Sequence, residues 1–129
     1  MPLQPVGEPA PLKVLIVEDE FFIALDAETQ VTSLGHVVVG IAVSADQAVA
    51  LAAREQPDVA LMDIRLNGAR DGIDAALEIR ARYGVESIFV TANTDPATLQ
   101  RARSINPLAI IEKPLTVTRL QAHLTQVRA

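Results

Sequence analysis

Short apolar runs alternate with longer amphipathic segments along the chain from residue 13 onward. The runs are too short for helices and several are rich in β-branched residues, so they predict strands. We expect these strands over 13–17, 37–43, 58–63, 86–91 and 108–112. The intervening segments have helical spacing or helix-capping residues. We expect helices over 20–34, 45–55, 72–83, 96–104 and 117–127.

Capping residues support these helix boundaries. Ser44 with Gln47 resembles a capping box, and Asp71 is suited to an N-cap. Asp95 before Pro96 is a strong helix start, because proline fits the first helical position. Further caps and stops are expected at Thr116, Gly35 and Gly84. In the first helix, the spacing predicts one apolar side that contains Phe22, Ile23, Leu25, Ala27, Val31 and Leu34.

The order of the predicted elements indicates the fold class. Five β–α units follow one another, and both faces of the strands are apolar, as in a parallel sheet covered by helices on each side. We therefore predict an α/β fold: a (βα)5, doubly wound, five-stranded parallel sheet. Right-handed crossovers would bring the carboxyl ends of all the strands to one edge.

Length and composition limit the classes of protein. A chain of 129 residues fits one domain, and with 50% hydrophobic but only 3% aromatic residues its core must be aliphatic. The net charge of -5 argues against direct nucleic-acid binding. The absence of cysteine excludes disulfides and thiolate metal sites. No apolar run approaches the roughly 20 residues of a membrane span, so we expect no membrane association.

The N-terminus differs in composition from the rest of the chain. Residues 1–11 contain four of the eight prolines and predict an extended tail, which leaves 12–129 as the folded domain. The tail lacks the basic and apolar regions of a secretory signal, so a cytoplasmic protein is expected.

Polar side chains suited to phosphate chemistry follow four of the predicted strands. They are Glu18 and Asp19, Asp63, Thr91 with the small Ala92, and Lys113 with Pro114. In a parallel sheet these positions converge at the edge where open α/β proteins bind ligands. Carboxylates held together repel one another, and a hard divalent cation relieves the repulsion. The pattern favours a Mg²⁺ site, with Mn²⁺ as the alternative.

Each of these residues also has a simpler interpretation. Asp63 is either a strand-end acid or a carboxylate nucleophile that accepts a phosphoryl group. Lys113 is either solvated or the cation that binds the phosphate, and a cis bond before Pro114 would turn its ammonium inward. Thr91 is either a strand residue or a donor to a phosphoryl oxygen.

Taken together, these motifs resemble the receiver domain of two-component response regulators, over about 12–129. The resemblance implies the flavodoxin-like receiver fold, with Asp63 phosphorylated by a sensor histidine kinase or a histidine phosphotransfer protein. It implies that Asp19 binds Mg²⁺ directly, Glu18 through water, and Asp63 and the backbone carbonyl of Arg65 complete the metal site. Lys113 would contact the phosphoryl group and Thr91 would be the switch hydroxyl.

Three departures from the family pattern are visible. Ile110 replaces the switch aromatic expected three residues before Lys113, so ring rotation cannot report phosphorylation here. Leu66 and Asn67 replace the usual Met-Pro, in a loop one residue longer. The remaining departure concerns the positions that flank the phosphoryl group and tune its lifetime, which hold Arg65 and Asn93.

Several functions stay open at this stage. The chain ends soon after the last predicted helix, so we expect a phosphoacceptor switch with no output domain, acting on an unknown output protein. The alternatives are a receiver cut from a longer regulator and a phosphorylation-independent interaction module. We expect no enzyme beyond slow self-dephosphorylation, because Arg65 stands where a haloacid-dehalogenase-type hydrolase needs a second acid. Relatives also pair through the face of the fourth helix, last strand and last helix, which makes a homodimer another expectation.

Overall fold

A single parallel sheet organises the residues that the structure, a computed structural model, describes: 10–92 and 95–127. Five strands form this sheet in the order β2-β1-β3-β4-β5, which makes β3 the central strand. The strands are β1 (Lys13–Val17), β2 (Val37–Ala42), β3 (Val59–Met62), β4 (Glu86–Thr91) and β5 (Ala109–Glu112). Every neighbouring pair is parallel, which confirms the predicted fold class.

Helices cover both faces of the sheet. They are α1 (Phe21–Ser33), α2 (Ala45–Glu55), α3 (Gly72–Tyr83), α4 (Pro96–Ser104) and α5 (Val117–Leu124). One core packs α2, α3 and Ala102 of α4 against one face, around Phe89 and Ile64. A second core packs α1 and α5 against the other face, around Ile16 and Ile88. Both faces are therefore apolar, as predicted.

Most predicted boundaries lie within one residue of those observed. The exception is the last helix, which ends at Leu124 and not at Val127, with Thr125 as its C-cap. The first nine residues of the predicted tail and the tuning position Asn93 lie outside the described residues. No helix within the described ranges combines the length and apolar character needed to cross a bilayer.

The predicted buried side of α1 is partly wrong. Its buried residues are Ala24, Ala27 and Val31, whereas Phe22 is 80% exposed and Leu25 is 42% exposed. Small side chains at positions i, i+3 and i+7 let the helix lie close to the sheet. Phe22, in the first turn of the helix, instead lies beside the carboxyl edge of the sheet.

The helix caps follow the sequence signals with one difference. The side chain of Asp71 accepts a hydrogen bond from the backbone N–H of Asp74, and the side chain of Asp74 accepts one from the backbone N–H of Asp71, which completes a capping box. Ser44 caps α2 by accepting from the backbone of Gln47. The side chain of Gln47, however, accepts from the backbone of Val43 and not from Ser44, so the second half of that box is displaced by one residue.

Candidate functional site: an acidic pocket at the carboxyl edge of the sheet

The backbone pairing of the sheet extends into the residues of the site. The N–H groups of Glu18, Asp63 and Lys113 each donate a hydrogen bond of 2.9 Å to a neighbouring strand, and the acceptors are the carbonyls of Ala42, Val17 and Thr91 respectively. These side chains are consequently held by the ends of the strands and not by free loops. Glu18 and Asp63 follow the adjacent strands β1 and β3, and Lys113 follows β5.

Three carboxylates meet at this edge. Oxygen atoms of Glu18, Asp19 and Asp63 all lie within 4.8 Å of one another. Glu18 is 5% exposed and Asp63 is 8% exposed. One oxygen of Glu18 accepts a hydrogen bond of 3.1 Å from the backbone of Glu20. The acids that the sequence predicted to converge are therefore together, and two of them are buried.

Lys113 brings a positive charge to the acids. Its Nζ donates a 2.8 Å hydrogen bond to Oε2 of Glu18 and lies 3.5 Å from Oδ2 of Asp63. Burial disfavours the charged ammonium, but the hydrogen bond with Glu18 and the attraction of Asp63 outweigh it and raise the pKa of Lys113. The peptide bond between Lys113 and Pro114 is cis, the isomer considered from the sequence.

Asp63 has an unusual affinity for a proton. Burial, followed by repulsion from Glu18, raises its pKa from 3.8 to about 6, although Lys113 and a hydrogen bond from the backbone of Arg65 act in the opposite direction. Asp63 is still mainly ionised at neutral pH, as a nucleophile must be. Its ionised form is destabilised by its surroundings, so a further cation has a physical reason to bind.

Gly72 fixes the backbone that follows Asp63. Its N–H donates a 2.7 Å hydrogen bond to the carbonyl of Ile64. A Cβ atom placed on Gly72 would lie 1.9 Å from the carbonyl oxygen of Asp63, far inside contact distance. The first residue of α3 therefore has to be glycine for the chain after β3 to pass so close.

The other predicted site residues differ in their burial and surroundings. Thr91 is buried at the end of β4, and Ala92 beside it is exposed. The side chain of Arg65 is exposed, and the role predicted for its carbonyl stays a prediction. Ile110 pairs with Phe89 across the sheet and packs against the first core. The position of the switch aromatic is thus half-buried and aliphatic.

An apolar pocket of about 470 Å³ opens beside the acids. Ile16, Leu61 and Val90 from the sheet line it together with Glu18, Asp63 and Lys113. The exposed Phe22 and the half-buried Leu115 line it as well. A group entering this pocket would contact apolar surface together with Glu18, Asp63 and Lys113.

The fold and this site define a class of protein. Residues 14–125 match the family model described as the response regulator receiver domain. The chain therefore belongs to the response regulator receiver family, as the resemblance of its motifs indicated, and the family places it in two-component signalling.

Particular relatives agree with this assignment. The chain is 36% identical over 110 residues to the transcriptional regulatory protein PdtaR of Mycobacterium tuberculosis, an overlap of 85% of this chain and 53% of the relative. It is 34% identical over 115 residues to the phyllosphere-induced regulator PhyR of Methylorubrum extorquens, covering 88% of this chain and 42% of the relative. The chain thus spans about half the length of these curated relatives.

Solved structures show the same fold. The signal receiver domain of a modulated diguanylate cyclase from Desulfovibrio desulfuricans G20 is 36% identical with a TM-score of 0.87, and the match covers 92% of this chain and 94% of that one. The receiver domain of PhyR from Erythrobacter litoralis is 34% identical with a TM-score of 0.80, covering 92% and 90%.

Sequence reasoning missed two arginines that connect α3 with α4 and the residues after it. Arg101 of α4 forms ion pairs with Asp71 and Asp74 at the start of α3. Arg80 of α3 donates to the carbonyls of Ile105 and Asn106, just after α4. An exposed arginine paired with an acid about thirty positions away has no local sequence signal, so only the fold shows these contacts.

Proposed function

We propose that this protein is a phosphoacceptor switch in which Asp63 receives a phosphoryl group from a sensor histidine kinase or a histidine phosphotransfer protein. The observation that carries the proposal is the placement of Asp63, which is buried, has a pKa of about 6, and lies close to Lys113 and to the two acids that follow β1. Membership of the receiver family supports the same role.

The side chains of the pocket have distinct tasks in this reaction. An oxygen of Asp63 attacks phosphorus and forms an O–P bond, while the P–N bond to the donor histidine breaks and its electron pair leaves with the imidazole. Lys113 balances charge on the phosphoryl oxygens. Thr91 is the hydroxyl that turns toward the new phosphoryl group. The only catalysis that we expect from the protein is slow hydrolysis of its own acyl phosphate.

A divalent cation fits the donor set. Hard oxygen ligands from Glu18, Asp19 and Asp63 are those that Mg²⁺ prefers, with Mn²⁺ as a substitute, and the crowding of these acids favours a cation. The carbonyl of Arg65 is the further ligand implied by the family. When bound, the cation would neutralise charge on both the carboxylates and the incoming phosphoryl group.

The apolar pocket is suited to the donor protein. Asp63 lines this pocket together with Phe22 and Leu115, so a carrier that presents phosphohistidine to Asp63 can contact these two apolar side chains. We therefore place the donor against the start of α1 and the segment before α5. Small phosphodonors have no need of this surface.

The output surface of the switch is the face formed by α4, β5 and α5. We expect phosphorylation to change the affinity of the face formed by α4, β5 and α5 for an output protein, or for a second copy of this chain, without direct nucleic-acid or membrane binding. One structural relative is described as the anti-anti-sigma factor PhyR of Bartonella quintana. A protein partner of that regulatory kind is consistent with the proposal.

Labelling by a small phosphodonor tests the proposed function. Acetyl phosphate with Mg²⁺ should add one phosphoryl group to the protein, and chelation of the metal should prevent it. Asp63→Asn should not be labelled, whereas Asp26→Asn, which changes another acid lining the pocket, should be labelled normally. If the chain were a phosphorylation-independent interaction module, neither the wild type nor Asp26→Asn would show metal-dependent labelling.

A further inference from the structure

Helix α4 is attached to α3 largely through charged groups. Ala102 is its buried residue, and the rest of the helix is exposed or half-buried. Arg101 donates to Oδ2 of Asp71 at 2.6 Å, to Oδ1 of Asp71 at 3.3 Å and to Oδ1 of Asp74 at 3.1 Å. One guanidinium therefore joins α4 to both acids of the α3 capping box.

The acceptor end of this contact lies next to the phosphoacceptor loop. Asp71 precedes Gly72, whose N–H bonds to the carbonyl of Ile64 and whose Cα lies against the carbonyl of Asp63. Because Gly72 is packed directly against the carbonyl of Asp63, a shift of the start of α3 would move the backbone that holds Asp63. Arg101 is consequently linked to the backbone of Asp63 through two residues, Asp71 and Gly72.

Helix α4, which carries Arg101, is also connected to the site along the chain. Strand β4 ends at the buried Thr91, and α4 begins only a few residues later at Pro96. Helix α4 is thus connected to the pocket by the chain after Thr91 and by the ion pairs of Arg101. Since Ile110 has no ring to rotate, the ion pairs of Arg101 offer a different means of linking the pocket to α4.

We propose that Arg101 is a positioning residue that couples α4 to the loop after Asp63 through Asp71 and Asp74. The proposal rests on the proposed function, because the coupling matters only if Asp63 receives a phosphoryl group. Loss of the guanidinium should loosen the loop, so that it must be ordered when a phosphoryl group binds. By linkage, a phosphoryl analogue at Asp63 should in turn protect α4.

The experiment compares Arg101→Met with Arg103→Met. Arg103 is on the same helix, is exposed, and has no side-chain hydrogen bond within the described residues, so its variant is a control for charge and helix propensity. Amide hydrogen exchange of residues 63–72 is measured first without ligand. Exchange should be faster in Arg101→Met than in the wild type, and unchanged in Arg103→Met.

Affinity for beryllofluoride with Mg²⁺ is the second readout. We expect Arg101→Met to bind this phosphoryl analogue about two- to fivefold more weakly, the range of an exposed ion-pair network. Asp71→Asn, which retains a good N-cap and the bond between Arg101 and Asp74, should weaken binding by no more than Arg101→Met does, and the double variant should be no weaker than Arg101→Met alone. In the wild type the analogue should slow exchange in α4, and in Arg101→Met this effect should be lost.

The outcomes separate the two proposals. Equal loop exchange and equal affinity in Arg101→Met and Arg103→Met would overturn the coupling, as would additive losses in the double variant. If the wild type fails to bind the analogue, the proposed function is wrong and coupling to phosphorylation falls with it. Binding by all variants with no response at Arg101 would leave the proposed function intact and remove only the coupling.

Discussion

The ammonium of Lys113 is hydrogen-bonded to Glu18 at 2.8 Å, across 95 positions of sequence. Asp63 lies farther from the same nitrogen, at 3.5 Å. The ammonium of Lys113 is therefore shared between two carboxylates, and its shorter contact is with Glu18 and not with Asp63. This explains why the pKa of Asp63 stays raised by burial and by Glu18 even though a lysine is close.

The raised pKa of Asp63 makes the stability of the metal-free protein depend on pH. Between pH 3.8 and about 6 the folded state binds more protons than the unfolded state, so the free energy of unfolding should fall as pH rises through this window. Asp63→Asn removes the ionisable group. In EDTA at pH 7.5 it should be more stable than the wild type, by at most about 3 kcal/mol, with little difference near pH 4. Urea unfolding at both pH values would measure this; equal stability at pH 7.5 would count against the crowded pocket.

Magnesium should stabilise the fold through the acidic cluster. A cation that binds only the native state raises the melting temperature, and the rise continues with the logarithm of the cation concentration once that exceeds the dissociation constant. Asp19→Asn removes one charged ligand and should reduce the Mg²⁺-dependent shift, while Asp26→Asn should retain it. Thermal melts over a Mg²⁺ titration would measure both. Identical shifts in the two variants would place the cation elsewhere.

Gly72→Ala should disturb the acceptor loop. Its methyl group would meet the carbonyl oxygen of Asp63 at 1.9 Å, so backbone must move, at a cost of about 1–3 kcal/mol or more. Gly40→Ala is the matched control, because its methyl group would meet only the flexible side chain of Leu51 at 3.2 Å. We expect Gly72→Ala to lose more stability and to accept phosphate more slowly. Chemical unfolding and acetyl phosphate labelling would test this, and equal behaviour of the two variants would contradict it.

Phe22→Ala should separate donor docking from chemistry. Phe22 lines the pocket but is 80% exposed, so its removal should hardly affect folding. Transfer from a cognate phosphohistidine protein should slow several-fold, while labelling by acetyl phosphate should not change. Leu77→Ala removes an exposed apolar side chain from α3, away from the pocket, and serves as control. A parallel loss with both donors would show that Phe22 acts on the site and not on docking.

The sequence predicted the sheet and the convergence of its polar residues because both depend on local patterns. Alternating apolar runs and caps such as Asp71 and Asp95 define the elements, and parallel pairing then brings Glu18, Asp63 and Lys113 to one edge. The buried side of α1 was predicted less well, since Phe22 follows the helical repeat but lies beside the carboxyl edge of the sheet, where it is exposed. Long-range charge pairs such as Arg101 with Asp71 depend on how helices pack, and no local pattern encodes them.

The central claim is that Asp63 is the phosphoacceptor, and trapping the modified residue tests it most directly. The protein is incubated with acetyl phosphate and Mg²⁺, the acyl phosphate is reduced with borohydride, and the modified position is mapped by peptide mass spectrometry. We predict modification at Asp63 alone. Modification at Glu18 or Asp19, or none in a protein that remains folded, would contradict the account.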